Sequence, residues 1–319
     1  MQWGTAASGL QAEGAAPASD WAGRERAGHA PPSGDGNGFR ARGREDVELL
    51  AEHGIGAHRM TIEWARLEPE PGSWDEVEVE RYLGVLRAGR ALGVDIWVTL
   101  HHLTLPGWFS EDEGGFRDDG MVRRVWPAHV DRIGETFGDL VAGWVPIDQP
   151  SAYAAMTWAD EDDRYTGLRN LRRANREAAL LLRNDGAPVV ASHLPDERAD
   201  ELKLDLETFD AIGLVHPATD DGAMRSALQR LADEVGSTPI WITATGVGTK
   251  DPDEQADKLR ATAEQIDEAR RDGIDVPGAF WWTAIDGYEP ATGFEVPWGL
   301  FDRDRNPRPA VEVVQALER

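Results

Sequence analysis

The side chains best suited to chemistry in this sequence stand at the ends of short β-rich runs. Asp148 and Gln149 follow a run that ends at Ile147, and His102 follows another just after Leu100. A carboxylate held among apolar walls has a raised pKa and can act as a general base. Gln149 or His102 would then donate to the charge that develops, for example when a proton is taken from a carbon acid. Asp148, Gln149 and His102 are therefore the candidate catalytic residues.

The same carboxylate has a second interpretation. Arg59 lies in another β-rich run, 57–63. An ion pair between Arg59 and Asp148 would lower the pKa of the carboxyl and spoil it as a base. Both interpretations stay open at the level of sequence.

Histidines at other strand ends raise the question of a metal site. His102, His193 and His216 together with Asp148 would supply a mixed imidazole and carboxylate set that suits zinc or iron. Hydrogen bonding at a strand end readily explains His193, and we expect neither a metal nor a cofactor. The remaining histidines are interpreted as structural or exposed: His29, His53, His58, His101 and His129.

Eight β-rich runs alternate with amphipathic segments, which is typical of parallel α/β proteins. The runs are 3–7, 57–63, 95–100, 144–147, 188–192, 209–215, 240–243 and 279–285. Apolar residues at helical spacing predict helices at 44–53, 76–92, 123–137, 170–183, 223–234, 253–271 and 311–317. The polar stretches 160–165 and 195–202 are predicted to be loops. Eight such units predict one single-domain (β/α)8 barrel over residues 1–319.

The active site of such a barrel lies at the C-terminal ends of its strands. The residues expected to meet there are Arg59, His102, Asp148, Gln149, His193, His216, Ala244, Trp282 and Glu289. Neighbours on a strand point to opposite faces, so either Trp281 or Trp282 faces the pocket. Trp64, Trp97 and Trp144 are interpreted as core residues.

Composition excludes several classes of partner. The chain has 58 acidic and 33 basic residues, a net charge of −25, and no cysteine. Such a charge disfavours nucleic acid and anionic membranes, which bind where Lys and Arg cluster. Without cysteine there are neither disulfides nor thiolate metal sites. With neither a leader segment nor a membrane span in the sequence, we expect a soluble cytoplasmic protein whose partner is a small molecule.

Several motifs in order along the chain resemble glycoside hydrolase family 1, the retaining β-glycosidases. The resemblance runs from the segment 3–14 (WGTAASGLQAEG) to the segment 298–301 (WGLF), and includes 59–66 (RMTIEWAR) and 99–109 (TLHHLTLPGWF). It covers nearly the whole chain and implies the same barrel. The chain is shorter than is usual in the family, with the loss assigned to the loops after the fourth and fifth strands.

The resemblance places two substitutions at the catalytic centre. The segment 147–150 (IDQP) is similar to the family's Asn-Glu-Pro, with Gln149 where the acid/base Glu stands. The segment 242–246 (ITATG) is similar to Thr-Glu-Asn-Gly, with Ala244 where the nucleophile stands. Retaining hydrolysis needs two carboxyl groups about 5 Å apart, and an amide and a methyl supply neither.

Other family positions are partly kept. Gln11 and His102 resemble the residues that bind the hydroxyls of the innermost sugar, and Glu289 the carboxylate that holds its far hydroxyls. Arg59 resembles the Arg that contacts the nucleophile, and Trp281 or Trp282 the indole beneath the sugar. The departures are Asp148 in place of Asn, His216 near the place of a Tyr, and Pro290 in place of a Trp.

These observations predict a β-glycosidase-like barrel that is not a competent retaining glycosidase. The leading expectation is a rebuilt pocket for a small aromatic or sugar-like ligand, with Asp148 as a base for non-glycosidic proton abstraction. The alternatives are a non-catalytic sugar-binding pseudoenzyme and a β-glycosidase inactivated by the substitutions at positions 149 and 244.

Overall fold

Eight short, mostly apolar segments form the strands of one parallel sheet that curls into a barrel. The computed structural model describes residues 1–183, 186–194, 205–219 and 221–317. The strands are β1 Gln2–Ala6, β2 Ala57–Thr61, β3 Asp95–His101, β4 Gly143–Ile147, β5 Val190–His193, β6 Ala211–Val215, β7 Ile240–Thr245 and β8 Gly278–Trp282. Their order in the sheet is β4-β3-β2-β1-β8-β7-β6-β5. The predicted (β/α)8 barrel is confirmed.

The sheet comes close to full closure between β4 and β5. Trp144 on β4 forms a parallel bridge with Val189, the residue before β5. The backbone N–H of Trp144 donates to the carbonyl of Pro188 at 2.8 Å. The C-terminal ends of all eight strands therefore surround one opening.

Helices connect the strands and cover the outer face of the barrel. They are α1 Gly9–Glu13, α2 Asp20–Arg26, α3 Phe39–Glu52, α4 Trp64–Leu67, α5 Glu76–Leu92, α6 Asp119–Phe137, α7 Pro150–Thr157, α8 Glu161–Leu182, α9 Ala223–Val235, α10 Pro252–Arg271 and α11 Pro309–Leu317. Aspartate side chains cap the N-termini of α5, α6, α8 and α10 by accepting backbone N–H groups of the first turn. In the described part of the chain, none of these helices combines the length and the apolarity that crossing a membrane requires.

One predicted loop, 160–165, is wrong. The structure begins α8 at Glu161, and Asp160 caps it by accepting the N–H groups of Asp162 and Asp163. Acidic residues in a first turn are favoured by the positive end of the helix dipole. The polar stretch is therefore the exposed start of a helix. The other predicted loop, 195–202, lies outside the described residues.

A layer of aromatic rings fills the barrel interior beneath the opening. Trp97 on β3 and Trp241 on β7 have ring centroids 4.4 Å apart, and Phe280 on β8 lies 5.4 Å from Trp97. Gly278 leaves room for this layer, because a Cβ there would lie 2.2 Å from Trp241 Cζ3. The rings therefore form the floor beneath the opening at the C-terminal ends of the strands.

Candidate functional site

A cavity of about 320 Å³ opens at the C-terminal ends of the strands. Five of the predicted site residues line it: His102, Gln149, His216, Ala244 and Trp282. The other lining residues are Leu194, Val215, Pro217, Thr245, Gly246 and Trp298. This volume lies at the lower end of the range for small-molecule sites.

The two neighbouring tryptophans of β8 point in opposite directions. Trp281 is fully buried in the layer between the strands and the helices. Trp282 lines the cavity, and its ring centroid lies 5.6 Å from that of His102. Trp282 is therefore the indole available to a ligand, and Trp281 is a core residue.

Asp148 and Arg59 form a buried ion pair just below the cavity. Both side chains have 0% exposure, and both Nη atoms of Arg59 donate to Asp148 Oδ2 at 3.2 Å. Arg59 also donates to Thr99 Oγ1 at 2.9 Å and to the carbonyl of Thr243 at 3.2 Å. The other carboxylate oxygen, Oδ1, accepts a hydrogen bond from Ser192 Oγ. Asp148 was interpreted either as a general base or as an ion-pair partner of Arg59, and the structure shows the ion pair.

The charges in this network fix the protonation of its members. Burial raises the pKa of Asp148, but Arg59, His102 and Ser192 together outweigh it, so the pKa lies below the ordinary value. Burial lowers the pKa of His102 to about 4, against the smaller opposing effect of Asp148. Asp148 is thus an anion and His102 neutral at physiological pH.

Gln11 and Glu289 form a separate polar pair beside Trp282. Gln11 Nε2 donates to Glu289 Oε1 at 2.8 Å. Burial raises the pKa of Glu289 to about 7, although hydrogen bonds from Trp282 and Gln11 oppose the shift. The pair joins α1 to the segment after β8.

The histidines after β5 and β6 have different surroundings. His193 is buried, and its Nε2 lies 2.9 Å from Asp205 Oδ2. His216 lines the cavity, and its Nδ1 lies 2.7 Å from the carbonyl oxygen of Pro217. No group of three or more His, Asp or Glu side chains among the described residues is arranged to hold a metal ion.

Gln149 and Ala244 face the cavity from opposite parts of the barrel. Gln149 precedes α7 with φ 48° and ψ 59°, in the left-handed region that non-glycine residues seldom adopt. Ala244 lies on β7, and its carbonyl accepts the N–H of His216 at 3.0 Å. Within the described chain, no residue that lines the cavity carries a carboxyl group.

Sequence reasoning missed several residues of the site. Trp298 belongs to the terminal motif 298–301, which predicts no role for it, yet it forms part of the cavity wall. Ser192 holds Asp148 from the neighbouring strand β5. Its position at a strand end was the available signal, but a serine there is common and carries little information.

Comparison with known proteins identifies the fold and the family. The model described as Glycosyl hydrolase family 1 matches residues 1–161 and 203–312. Beta-glucosidase 11 of Arabidopsis thaliana is 32% identical over 112 residues, which is 35% of this chain and 21% of that protein. Beta-glucosidase A of Thermotoga maritima is 22% identical over 93% of this chain and 91% of its own length.

A solved apo structure of a β-glucosidase, 1317, has a TM-score of 0.84 and 26% identity, over 100% of this chain and 98% of that one. The aligned part spans about a fifth of the length of the plant β-glucosidases. The family model, in contrast, covers most of the chain. The chain belongs to glycosyl hydrolase family 1.

Proposed function

We propose that this chain binds a small aromatic or sugar-like ligand in the cavity and does not hydrolyse β-glycosides by the retaining route. The observation that carries the proposal is the pair Gln149 and Ala244 in the cavity wall, with no carboxyl group among its described lining residues. The β-glucosidase activity by which the relatives are named belongs to those proteins.

The chemistry of the two side chains supports this proposal. A retaining enzyme needs one carboxyl group to protonate the leaving oxygen and a second to attack the anomeric carbon. The amide of Gln149 has no acidic proton at neutral pH, and the methyl group of Ala244 has no lone pair. The pocket retains its binding surfaces, because Trp282 and Trp298 offer faces for a flat ring.

The contacts of Asp148 favour binding over the alternative of proton abstraction. Both its oxygens accept hydrogen bonds, one from Arg59 and one from Ser192. A carboxylate with a lowered pKa, enclosed and paired, is a weak base. We infer that Asp148 holds the site in shape and does not react with the ligand.

The test is hydrolysis of 4-nitrophenyl β-glucoside, with binding of phenyl β-glucoside followed in parallel by tryptophan fluorescence. We expect binding without release of nitrophenol. Cleavage by the unmodified chain would contradict the proposal, provided that Trp282→Ala, purified identically, abolishes it.

Two further variants distinguish the alternatives. Restoring both carboxyl groups with Gln149→Glu and Ala244→Glu tests whether an otherwise intact glycosidase has been inactivated; nitrophenol release by this double variant would support that alternative. Turnover of an activated carbon acid that Asp148→Asn removes would instead favour the rebuilt enzyme.

A further inference from the structure

We propose that the cavity selects an uncharged aromatic ring bearing a hydrogen-bond donor, of the phenol class, because both of its imidazoles are held with their Nε2 lone pairs free for the ligand. This inference rests on the proposed function and narrows the ligand. Its basis is the contacts of His102 and His216.

Asp148 sets the tautomer of His102. His102 Nδ1 is enclosed by the protein and lies 3.1 Å from Asp148 Oδ2, a close contact without the geometry of a hydrogen bond. A lone pair on Nδ1 would be repelled by the anionic oxygen at this distance, so the carboxylate favours the tautomer of the neutral ring with its proton on Nδ1. The ring itself lines the cavity, and Nε2 is the nitrogen left for a ligand. Asp148 is thus a positioning residue that makes His102 an acceptor.

A backbone carbonyl sets the tautomer of His216. Its Nδ1 lies 2.7 Å from the oxygen of Pro217, which has no proton to give. Nδ1–H must therefore donate, and the tautomer with this bond has its lone pair on Nε2. A ligand between the two rings meets two acceptors, and it binds best when it brings a donor.

The charge around the cavity disfavours an anionic ligand. The nearest buried cation, Arg59, is matched by Asp148 and has no exposed surface. Among the described residues that line the cavity, none is Arg or Lys. A carboxylate there would lose its hydration and face lone pairs without a compensating cation.

The rest of the wall favours a flat apolar body over a polyol. Leu194, Val215, Ala244, Trp282 and Trp298 supply apolar surface on several sides. Every sugar hydroxyl buried against such a surface needs a partner of its own. A phenol needs a partner for only one group.

The experiment compares three probes of similar shape: phenol, anisole and benzoate. Dissociation constants are measured by tryptophan fluorescence. Phenyl β-glucoside is included because its binding tests the proposed function independently of the three probes. We expect phenol to bind about ten-fold more tightly than anisole, since anisole leaves the buried acceptors unpaired, and benzoate to bind still more weakly. When His102→Phe and His216→Phe are combined, both acceptors are gone, and phenol and anisole should have nearly equal dissociation constants. The control Val77→Ser changes an exposed residue and should leave the difference between the two dissociation constants unchanged.

Equal binding of phenol and anisole, or tighter binding of benzoate, overturns this inference and leaves the proposed function standing. Failure of all four compounds to bind overturns both. A second measurement needs no ligand: long-range proton–nitrogen spectra of the ¹⁵N-labelled chain, with the two rings assigned through the His102→Phe and His216→Phe variants. Protonated Nδ1 on both rings supports the inference, and an Nε2–H tautomer on either ring overturns it.

Discussion

Replacing Asp148 by Ala should destabilise the fold far more than a surface change of the same kind. The substitution removes the anion that faces the guanidinium of Arg59, and both side chains have 0% exposure. Ser192 Oγ loses its acceptor, and His102 Nδ1 loses its neighbour at 3.1 Å. An arginine guanidinium stays protonated in proteins, so the charge of Arg59 would remain without its anion.

The magnitude follows from the cost of an unpaired buried charge. Removing one partner of a buried ion pair costs about 3 to 5 kcal/mol. The two remaining hydrogen bonds of Arg59, to Thr99 and to the carbonyl of Thr243, solvate the cation in part. We therefore expect Asp148→Ala to lower the free energy of unfolding by about 3 kcal/mol. Asp148→Asn should lower it by less, because the amide keeps an acceptor near Arg59.

The assay is urea unfolding followed by tryptophan fluorescence, with the free energy of unfolding taken by linear extrapolation. Glu80→Ala is the matched control, because Glu80 pairs with Arg87 at the surface with 66% and 55% of the side chains exposed. Surface pairs contribute about 0 to 1 kcal/mol. A loss for Asp148→Ala no larger than that for Glu80→Ala would refute the account of the buried network.

Three further predictions concern other parts of the fold. Burial raises the pKa of Glu63 from the ordinary 4.5 to about 7, so its contribution to stability is present below pH 4.5 and is lost as the pH rises through 7. In urea unfolding, the free energy of unfolding of the unmodified chain should fall by about 3 kcal/mol between pH 4.5 and 8 because of Glu63. Glu63→Gln keeps an acceptor for Thr104 and should not show this fall. Gly278→Ala should cost about 1 to 3 kcal/mol and lower the melting temperature, because its Cβ would meet the ring of Trp241 at 2.2 Å. Gly84→Ala on α5 should instead raise the free energy of unfolding by about 0.5 to 1 kcal/mol, since the nearest atom to its Cβ is 3.6 Å away and alanine favours a helix.

The sequence predicted the C-terminal ends of the helices better than their beginnings. The predicted ends of α5, α6 and α10 coincide with those in the structure, at Leu92, Phe137 and Arg271. The predicted start of α8 was residue 170, whereas the helix begins at Glu161. First turns carry caps and acidic residues, so the apolar periodicity that reveals a helix is absent there.

Within the site, the sequence predicted which residues meet but not how they are paired. The ends of parallel strands converge in any barrel, and this brought His102, Gln149, His216, Ala244 and Trp282 to one cavity. The direction of a side chain depends on the pleat, so the choice between Trp281 and Trp282 needed the strand register. The partner of Asp148 depended on distances across the barrel that the order of residues does not contain.

The contact between Trp97 and Trp241 has an optical consequence. The two residues come from β3 and β7, which are separated by three strands in either direction around the barrel. Their indoles, 4.4 Å apart, are close enough for their electronic transitions to couple, and such coupling gives a paired positive and negative band in circular dichroism. Trp64 also lies 5.6 Å from Trp108 and 5.8 Å from Trp126, so the part of the band that Trp97→Phe removes is the part that reports when opposite walls of the barrel have come together. The tryptophan pair is therefore an intrinsic probe of barrel closure, which stopped-flow circular dichroism can follow during refolding without an added label.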